Sequence, residues 1–245
     1  MSKAKPYEWK QWRSAIGFLK ESIRHSLTHG ALEQERGKQM GEKKQYRLQM
    51  EFPFYTQRMT QETWEEEGFS SFPEADSWTF RSCGIASLRM ILEGFGKQVE
   101  RHGTMIAKGV AAGAYKEGVG WIHWGLAKLA ADYGIYGEAL REKTAEDLKR
   151  ELDAGHPCMV SVASFFQGGK PKPDGSGVYG KSGHLVPVLG YETEDGRLTA
   201  FLVHHPSAFL EQNKPNWWVP IEDFSASFGG NFIRFSTENF SEEDK

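Results

Sequence analysis

The stretch that decides the fold is Arg81-Ser82-Cys83-Gly84-Ile85-Ala86-Ser87-Leu88-Arg89-Met90. It places a thiol just before an apolar run with helical spacing, which Gly94 and Gly96 end. The N-terminal end of a helix offers unpaired N–H groups and a partial positive charge, and both lower the pKa of a thiol. Cys83 is therefore a candidate nucleophile, although a lone buried cysteine is more often a packing residue.

The composition is that of an ordinary globular chain. Its net charge of −3 at pH 7 provides no basic field for nucleic acid, which we do not expect as a partner. No window approaches 18 consecutive apolar residues and the start lacks the apolar core of a secretory signal, so we expect a cytoplasmic protein. With only Cys83 and Cys158, a disulfide framework is not expected, and a single bridge between them would abolish thiol chemistry.

The N-terminal part differs electrically from the rest, because residues 1–50 hold eleven Lys or Arg against five Glu. Apolar residues at 9, 12, 16, 19, 23 and 27 lie on one face of an amphipathic helix predicted over residues 7–28. Its apolar face either packs on the chain's own body or contacts a membrane surface or a partner protein. Residues 29–47 indicate a polar connector or a weaker helix. We expect a helical extension over 1–48 and one domain over 49–240.

The remaining segments predict helices first and strands afterwards. Residues 50–57 indicate an edge strand and residues 62–73 a surface loop. Helical patterns follow at 83–95, 99–112 and 121–133, and Thr144 begins a capping box that opens a helix to Ala154. Strands are expected at 157–164, 184–191, 198–205, 217–221 and 231–235, and the glycine-rich segment 167–183 is a candidate flap. This order predicts an α+β domain with an antiparallel sheet.

A thiol nucleophile needs a base, and His184 is the candidate among eight histidines. It follows Gly183 at the end of the glycine-rich segment and opens an apolar strand, so it is expected at a sheet edge beside that segment. The other histidines are expected on the surface or in packing roles.

Four ordered motifs carry a family resemblance, and they are Phe52-Pro53-Phe54-Tyr55-Thr56-Gln57, Ser82-Cys83-Gly84-Ile85-Ala86-Ser87-Leu88, Gly183-His184-Leu185-Val186-Pro187-Val188-Leu189-Gly190-Tyr191 and Val203-His204-His205-Pro206. Together, across residues 50–236, they resemble the C39-like cysteine peptidases, a papain-like fold group. The resemblance implies a papain-like cysteine peptidase fold with an extra N-terminal helix. It also implies hydrolysis of peptide bonds in a peptide or protein substrate, without a cofactor.

The resemblance further implies roles for single residues, with Cys83 as nucleophile and His184 as general base. His205 occupies the position of an Asp that orients the imidazole in the family, and Gln57 is the implied oxyanion donor. A neutral His205 can accept a hydrogen bond but cannot stabilise an imidazolium as a carboxylate does. The flanking residues Ser82 and Gly183, together with Trp217, are expected to contact the substrate.

Three other functions are compatible with the same residues. A papain-like acyltransferase or transpeptidase would pass the acyl group to an amine instead of water. A non-catalytic descendant would keep the cleft and bind peptides. A zinc site formed by Cys83, His184, His204 and His205 lacks the usual paired ligand spacing, so no metal is expected.

Overall fold

A computed structural model describes residues 41–240. The amphipathic helix predicted over residues 7–28 lies outside the described residues, and whether it contacts a membrane or a partner stays a prediction. Within the described part, the helices are α1 (Phe72–Trp78), α2 (Cys83–Gly94), α3 (His102–Ala111), α4 (His123–Ala131), α5 (Ala145–Asp153) and α6 (Ile221–Ser227). None of them is long and apolar enough to cross a membrane.

The strands of the main sheet are β1 (Lys43–Arg47), β4 (Tyr136–Leu140), β5 (Cys158–Val162), β6 (His184–Glu194), β7 (Arg197–His205), β8 (Lys214–Pro220) and β9 (Phe228–Ser236). They are antiparallel in the order β4-β9-β5-β6-β7-β8, and β1 pairs with the second half of β6. A separate short hairpin consists of β2 (Tyr115–Lys116) and β3 (Gly120–Trp121). The predicted α+β class with an antiparallel sheet is confirmed.

Helix α2 lies in the centre of one core layer because its residues from Cys83 to Leu92 are all buried. A helix with so few polar residues must be covered on all sides. One apolar cluster joins α2, α3 and α4 to one face of the sheet, and a second cluster covers the opposite face with α5 and α6. The first turn of α2 is thereby fixed against the sheet at the beginning of β6.

Several local predictions are confirmed with shifted ends. The five predicted strands correspond to β5, β6, β7, β8 and β9, and the turn between β6 and β7 has Gly196 at φ +76. Thr144 forms the predicted capping box with Asp147 at the start of α5. A pattern of apolar periodicity therefore locates these elements well, but not their last residues.

Other local predictions are wrong. Residues 50–57 form no strand, and the predicted surface loop at 62–73 runs into α1, which Ser71 caps. The helix predicted over 121–133 begins at His123, because Trp121 belongs to β3. Residues 43–47, expected in a connector or weak helix, form β1, so the sheet begins before residue 48. The division of the chain at 48 itself stays a prediction.

Candidate active site

Cys83 is the first residue of α2 and is 9% exposed. The preceding Ser82 is fully buried, and its hydroxyl donates to the backbone carbonyl of Gln57 at 3.0 Å instead of capping the helix. The first N–H groups of α2 therefore have no side-chain cap from Ser82. They lie at the N-terminal end of the helix, where Cys83 is.

Leu185 connects α2, which carries Cys83, to the strand that carries His184. Its N–H lowers the pKa of the Cys83 thiol, against the effect of burial, and its carbonyl accepts the Ser87 hydroxyl at 2.9 Å. Cys83 and Ser87 lie one turn apart, so they present the same face of α2 to β6. His184, the residue before Leu185, is held in the sheet opposite Val162.

Cys83 and His184 line one cleft of about 460 Å³. Its other walls come from the β2–β3 hairpin, the N-terminal end of α4, strand β5 and the end of the glycine-rich segment. Residues from these walls include Tyr115, Glu117, Val119, Trp121, His123, Ser161 and Ser182. The sequence places these two side chains 101 positions apart, and the fold brings them to one cleft.

His205 lies directly beside His184, with ring centroids 4.8 Å apart and an interplanar angle of 57°. The Nδ1–H of His205 donates to the Gln212 carbonyl at 3.1 Å, because a carbonyl can only accept. A neutral His205 therefore keeps Nε2 as an acceptor. Among the described residues, Nε2 of His205 and Nε2 of His184 are both buried without a hydrogen-bond partner.

Burial sets the protonation of this group. It lowers the pKa of His184 to about 3, which the neighbouring His205 also favours, while a hydrogen bond to the Pro206 carbonyl acts the other way. Burial likewise lowers the pKa of His205 to about 4. Burial raises the pKa of the Cys83 thiol despite the N–H groups of Leu185 and Gly84 directed at it. At neutral pH the group consists of a thiol and two neutral imidazoles.

Gln57 lies beside this group and is 4% exposed. Its Nε2 donates to the Thr79 carbonyl at 2.8 Å, so one of its two amide hydrogens is used to hold the segment that leads to Cys83. Gln57, Gly183, His184 and His205 all line a second pocket of about 100 Å³. Three phenylalanines, Phe80, Phe165 and Phe209, complete its apolar wall.

Phe165 and Phe166 have left-handed backbone conformations, at φ +55 and φ +54. Such a conformation costs a non-glycine residue about 1–2 kcal/mol. Phe166 is buried against Trp217 and Phe224, whereas Phe165 contacts His205 at 5.3 Å between centroids. The strain is therefore maintained by core packing and places one ring in the second pocket.

A comparison against known families agrees with this fold. A model described as the Peptidase_C39 like family matches residues 49–234. The chain belongs to the Peptidase_C39 like family. No protein with curated annotation is similar enough to match it.

Solved structures of C39 peptidases resemble this family member in fold. A putative C39-like peptidase from Bacillus anthracis is 18% identical, with a TM-score of 0.53 over 81% of this chain and 100% of that chain. A double glycine motif protease from an AMS/PCAT transporter, crystallised with a leader peptide, is 20% identical, with a TM-score of 0.46 over 77% and 92%. The peptidase domain of Streptococcus ComA is 15% identical, with a TM-score of 0.45 over 64% and 93%. The predicted C39-like, papain-like fold is confirmed.

The other residues predicted for the site of this C39-like chain lie around it in different ways. Gly183 lines both pockets, whereas Ser82 lies behind Cys83 and lines neither. Trp217 packs edge-on against His205 and likewise lies outside both linings. The substrate contacts predicted for these residues stay predictions.

The zinc alternative has no support in the described part of the chain, where no three His, Cys, Asp or Glu side chains are grouped to hold a metal ion. His204 shows why. Its Nε2 donates to the Phe52 carbonyl at 3.2 Å, and its Nδ1 accepts from the Asn216 N–H at 3.0 Å, so neither nitrogen is available to a metal. Cys83 and Cys158 are both free thiols on separate elements.

The β2–β3 hairpin is the part of the site that the sequence analysis missed. Arg81 lines the cleft and contacts the hairpin through Glu117, whose exposed carboxylate is 3.1 Å from its guanidinium. The guanidinium also lies 4.3 Å from the centre of the Trp78 ring. Gly118 in the turn of the hairpin and Gly120 at the start of β3 both take positive φ. That Gly-x-Gly pattern was the available signal for a turn at this point.

Proposed function

We propose that this chain is a cysteine peptidase in which Cys83 attacks the peptide carbonyl and His184 is the general base. The observation that carries the proposal is that the thiol at the start of α2 and the imidazole at the start of β6 line the same cleft. Membership of the Peptidase_C39 like family supports hydrolysis of a peptide bond. In this proposal Cys83 and His184 supply the nucleophile and the base.

The reaction would start from a neutral pair. Burial favours the thiol over the thiolate at Cys83 and the imidazole over the imidazolium at His184. His184 would therefore accept the thiol proton as the S–C bond forms, in general-base catalysis, and not as part of a pre-formed ion pair. Water would later release the acyl group as a free acid.

Stabilisation of the oxyanion is assigned to Gln57 and the start of α2. The uncapped N–H groups of α2 lie at the thiol, and Gln57, whose carbonyl accepts from Ser82 and whose side chain lines the neighbouring pocket, has a second amide hydrogen; such donors are worth most where charge develops. His205 is proposed to position the base, because its Nδ1 is fixed by Gln212 and its Nε2 is a free acceptor beside His184.

The test uses the full chain and a peptide library, with cleavage products identified by mass spectrometry. We expect cleavage that is lost in Cys83→Ala and in His184→Ala. Cys158→Ala is the matched control, because it removes the other buried thiol, which lies at the end of β5 away from the cleft: Cys158 pairs with Val188, whereas Val162 at the other end pairs with His184. Activity that survives Cys83→Ala, or that Cys158→Ala abolishes equally without unfolding, would contradict the assignment.

A non-catalytic peptide-binding protein is the second candidate. It is favoured by the low pKa of His184 and by the absence of a carboxylate at position 205. In that case the library would show binding without cleavage for the unmodified chain. Products that carry an added amine in place of a free acid would instead identify an acyltransferase.

A further inference from the structure

An aromatic wall adjoins the proposed catalytic pair and has no role in the chemistry described so far. Phe80 and Phe209 are in contact at 5.7 Å between ring centroids, and Phe165 contacts Phe209 at 6.0 Å. Phe80 is 67% exposed and Phe209 43% exposed. Large apolar side chains that form one exposed group, beside a polar site, indicate a contact surface for an apolar ligand group.

The backbone at Phe165 is a second and independent observation. Its left-handed conformation persists because Phe166 is locked in the core, and the result is a ring placed between Phe209 and His205. Strained bulky residues are concentrated at sites where a particular side-chain position is needed. Phe165 and Phe209 line the small pocket and not the larger cleft, and Phe80 lines both, so the strained residue and the exposed pair meet at the small pocket.

The two pockets differ in which reacting groups they contain. Cys83 and His184 line the larger cleft, whereas His184 but not Cys83 lines the pocket of about 100 Å³. In a thiol peptidase the acyl half of the substrate becomes bonded to sulfur, while the amine half receives the proton from the base. The amine half is accordingly expected on the side that the base lines and the thiol does not.

We infer that the small pocket is the leaving-group subsite, and that Phe80, Phe165 and Phe209 select an apolar or aromatic side chain directly after the scissile bond. This inference rests on the proposed function. In the acylation step the Cys83 S–H proton passes to His184 as the S–C bond forms. The same proton then passes to the substrate nitrogen as the C–N bond breaks, so the departing product is a neutral amine and no other reactant is needed.

The test compares two peptides that share the acyl half and carry either Phe or Asp directly after the cleaved bond. Since both give the same acyl-enzyme, the ratio of their kcat/KM values reports the leaving-group side alone. We expect a preference for Phe of at least about tenfold, as is usual for an apolar pocket. The double variant Phe80→Ala/Phe209→Ala should reduce the preference to less than about twofold.

The matched control is Trp124→Ala, which removes an aromatic side chain that is 56% exposed and lies outside both pockets. It should retain the full preference. An unchanged preference in the double variant, or no preference in the unmodified chain, would overturn the inference. Cleavage of the peptides in either case would leave the proposed function intact.

A binding measurement keeps the inference testable without turnover. The Cys83→Ala variant is titrated with the same two peptides, with and without the two phenylalanine substitutions. If the Phe peptide binds more tightly than the Asp peptide, and this difference is lost when Phe80 and Phe209 are replaced, the result supports the subsite. It does so even if the chain cleaves no peptide, and then only the peptidase proposal fails. Equal binding of both peptides would remove the subsite.

Discussion

Replacing His205 by Asp should increase the proposed peptidase activity, because it places a negative charge beside His184, where that charge stabilises the imidazolium. The two rings are 4.8 Å apart. At an effective dielectric constant of about 20, unit charges at that separation interact by about 3.5 kcal/mol, or roughly 300-fold in the protonation equilibrium of His184. The carboxylate itself must be desolvated at this buried position, so the net effect is smaller than this value.

The wild-type chain should differ from the variant in its pH profile. Burial leaves the pKa of His184 at about 3 and that of His205 at about 4, so both rings lose their charge well below the ordinary histidine value of about 6.5. Protonated His184 cannot accept the thiol proton, and a protonated His205 adds a second cation beside it. Wild-type activity should therefore decline only as the pH falls through about 4. In His205→Asp the acid limb should move to higher pH, because the carboxylate stabilises the imidazolium.

The assay is kcat/KM for a cleaved peptide between pH 3.5 and 8, in wild type, His205→Asp and His205→Asn. We expect His205→Asp to raise kcat/KM at pH 7 by at least about tenfold, a small part of the calculated electrostatic interaction. His205→Asn offers a neutral acceptor and should leave the acid limb in place. The rate at which iodoacetamide alkylates Cys83 is a readout without substrate, and it should rise in His205→Asp alone. A folded His205→Asp variant with an unchanged profile and an unchanged alkylation rate would refute the reasoning.

Three further substitutions test the packing of the core and of the site. His102→Leu should raise the free energy of unfolding by about 1–3 kcal/mol at pH 7, since both ring nitrogens are buried without a partner among the described residues. Because burial lowers the pKa of His102 to about 3, the gain in stability measured by urea denaturation should grow by about 1.4 kcal/mol per pH unit below 6.5. An equal gain at pH 7 and at pH 5 would contradict this prediction. Gly84→Ala places a Cβ 2.7 Å from the Trp121 ring and should lower the free energy of unfolding by about 1–3 kcal/mol in the same measurement. An unchanged stability would mean that the Trp121 side chain moves to accommodate the methyl group. Ser87→Ala removes the bond to the Leu185 carbonyl and should lower stability by about 1 kcal/mol together with kcat/KM, whereas unchanged kinetics would show that this bond does not position the pair.

The elements that could be predicted from the sequence are those whose apolar pattern matches their burial. Helix α2 and strands β6 and β7 are in this class, because continuous burial requires continuous apolar residues. Strand β1 could not be found in this way. Its residues Lys43–Arg47 are mostly exposed, and backbone pairing with β6 and the stacking of Tyr46 on Tyr191 hold it at the sheet edge. Such interactions leave no periodic pattern in the sequence.

The same limit applies to the site. The pairing of Cys83 with His184 came from the order of motifs shared with a family, since no local pattern relates residues 101 positions apart. The hairpin wall was missed because Trp121 has the spacing of a helical core residue but lies in β3, after two glycines with positive φ. Neighbouring apolar residues predict burial, but the side of the cleft on which a buried residue lies depends on the turn that precedes it.

The adjacent histidines of β7 differ in how many of their ring nitrogens have hydrogen-bond partners. His204 has hydrogen bonds at both ring nitrogens, with Phe52 and Asn216, and that full set is what a buried imidazole needs for stability. His205 has only the bond to Gln212, and its buried Nε2 is unpartnered among residues 41–240. Leaving a buried acceptor unpaired costs about 1–3 kcal/mol, so His205 is not the residue that stability alone would favour here. We propose that its position beside His184, with ring centroids 4.8 Å apart, serves instead to hold the ring of the proposed base in place.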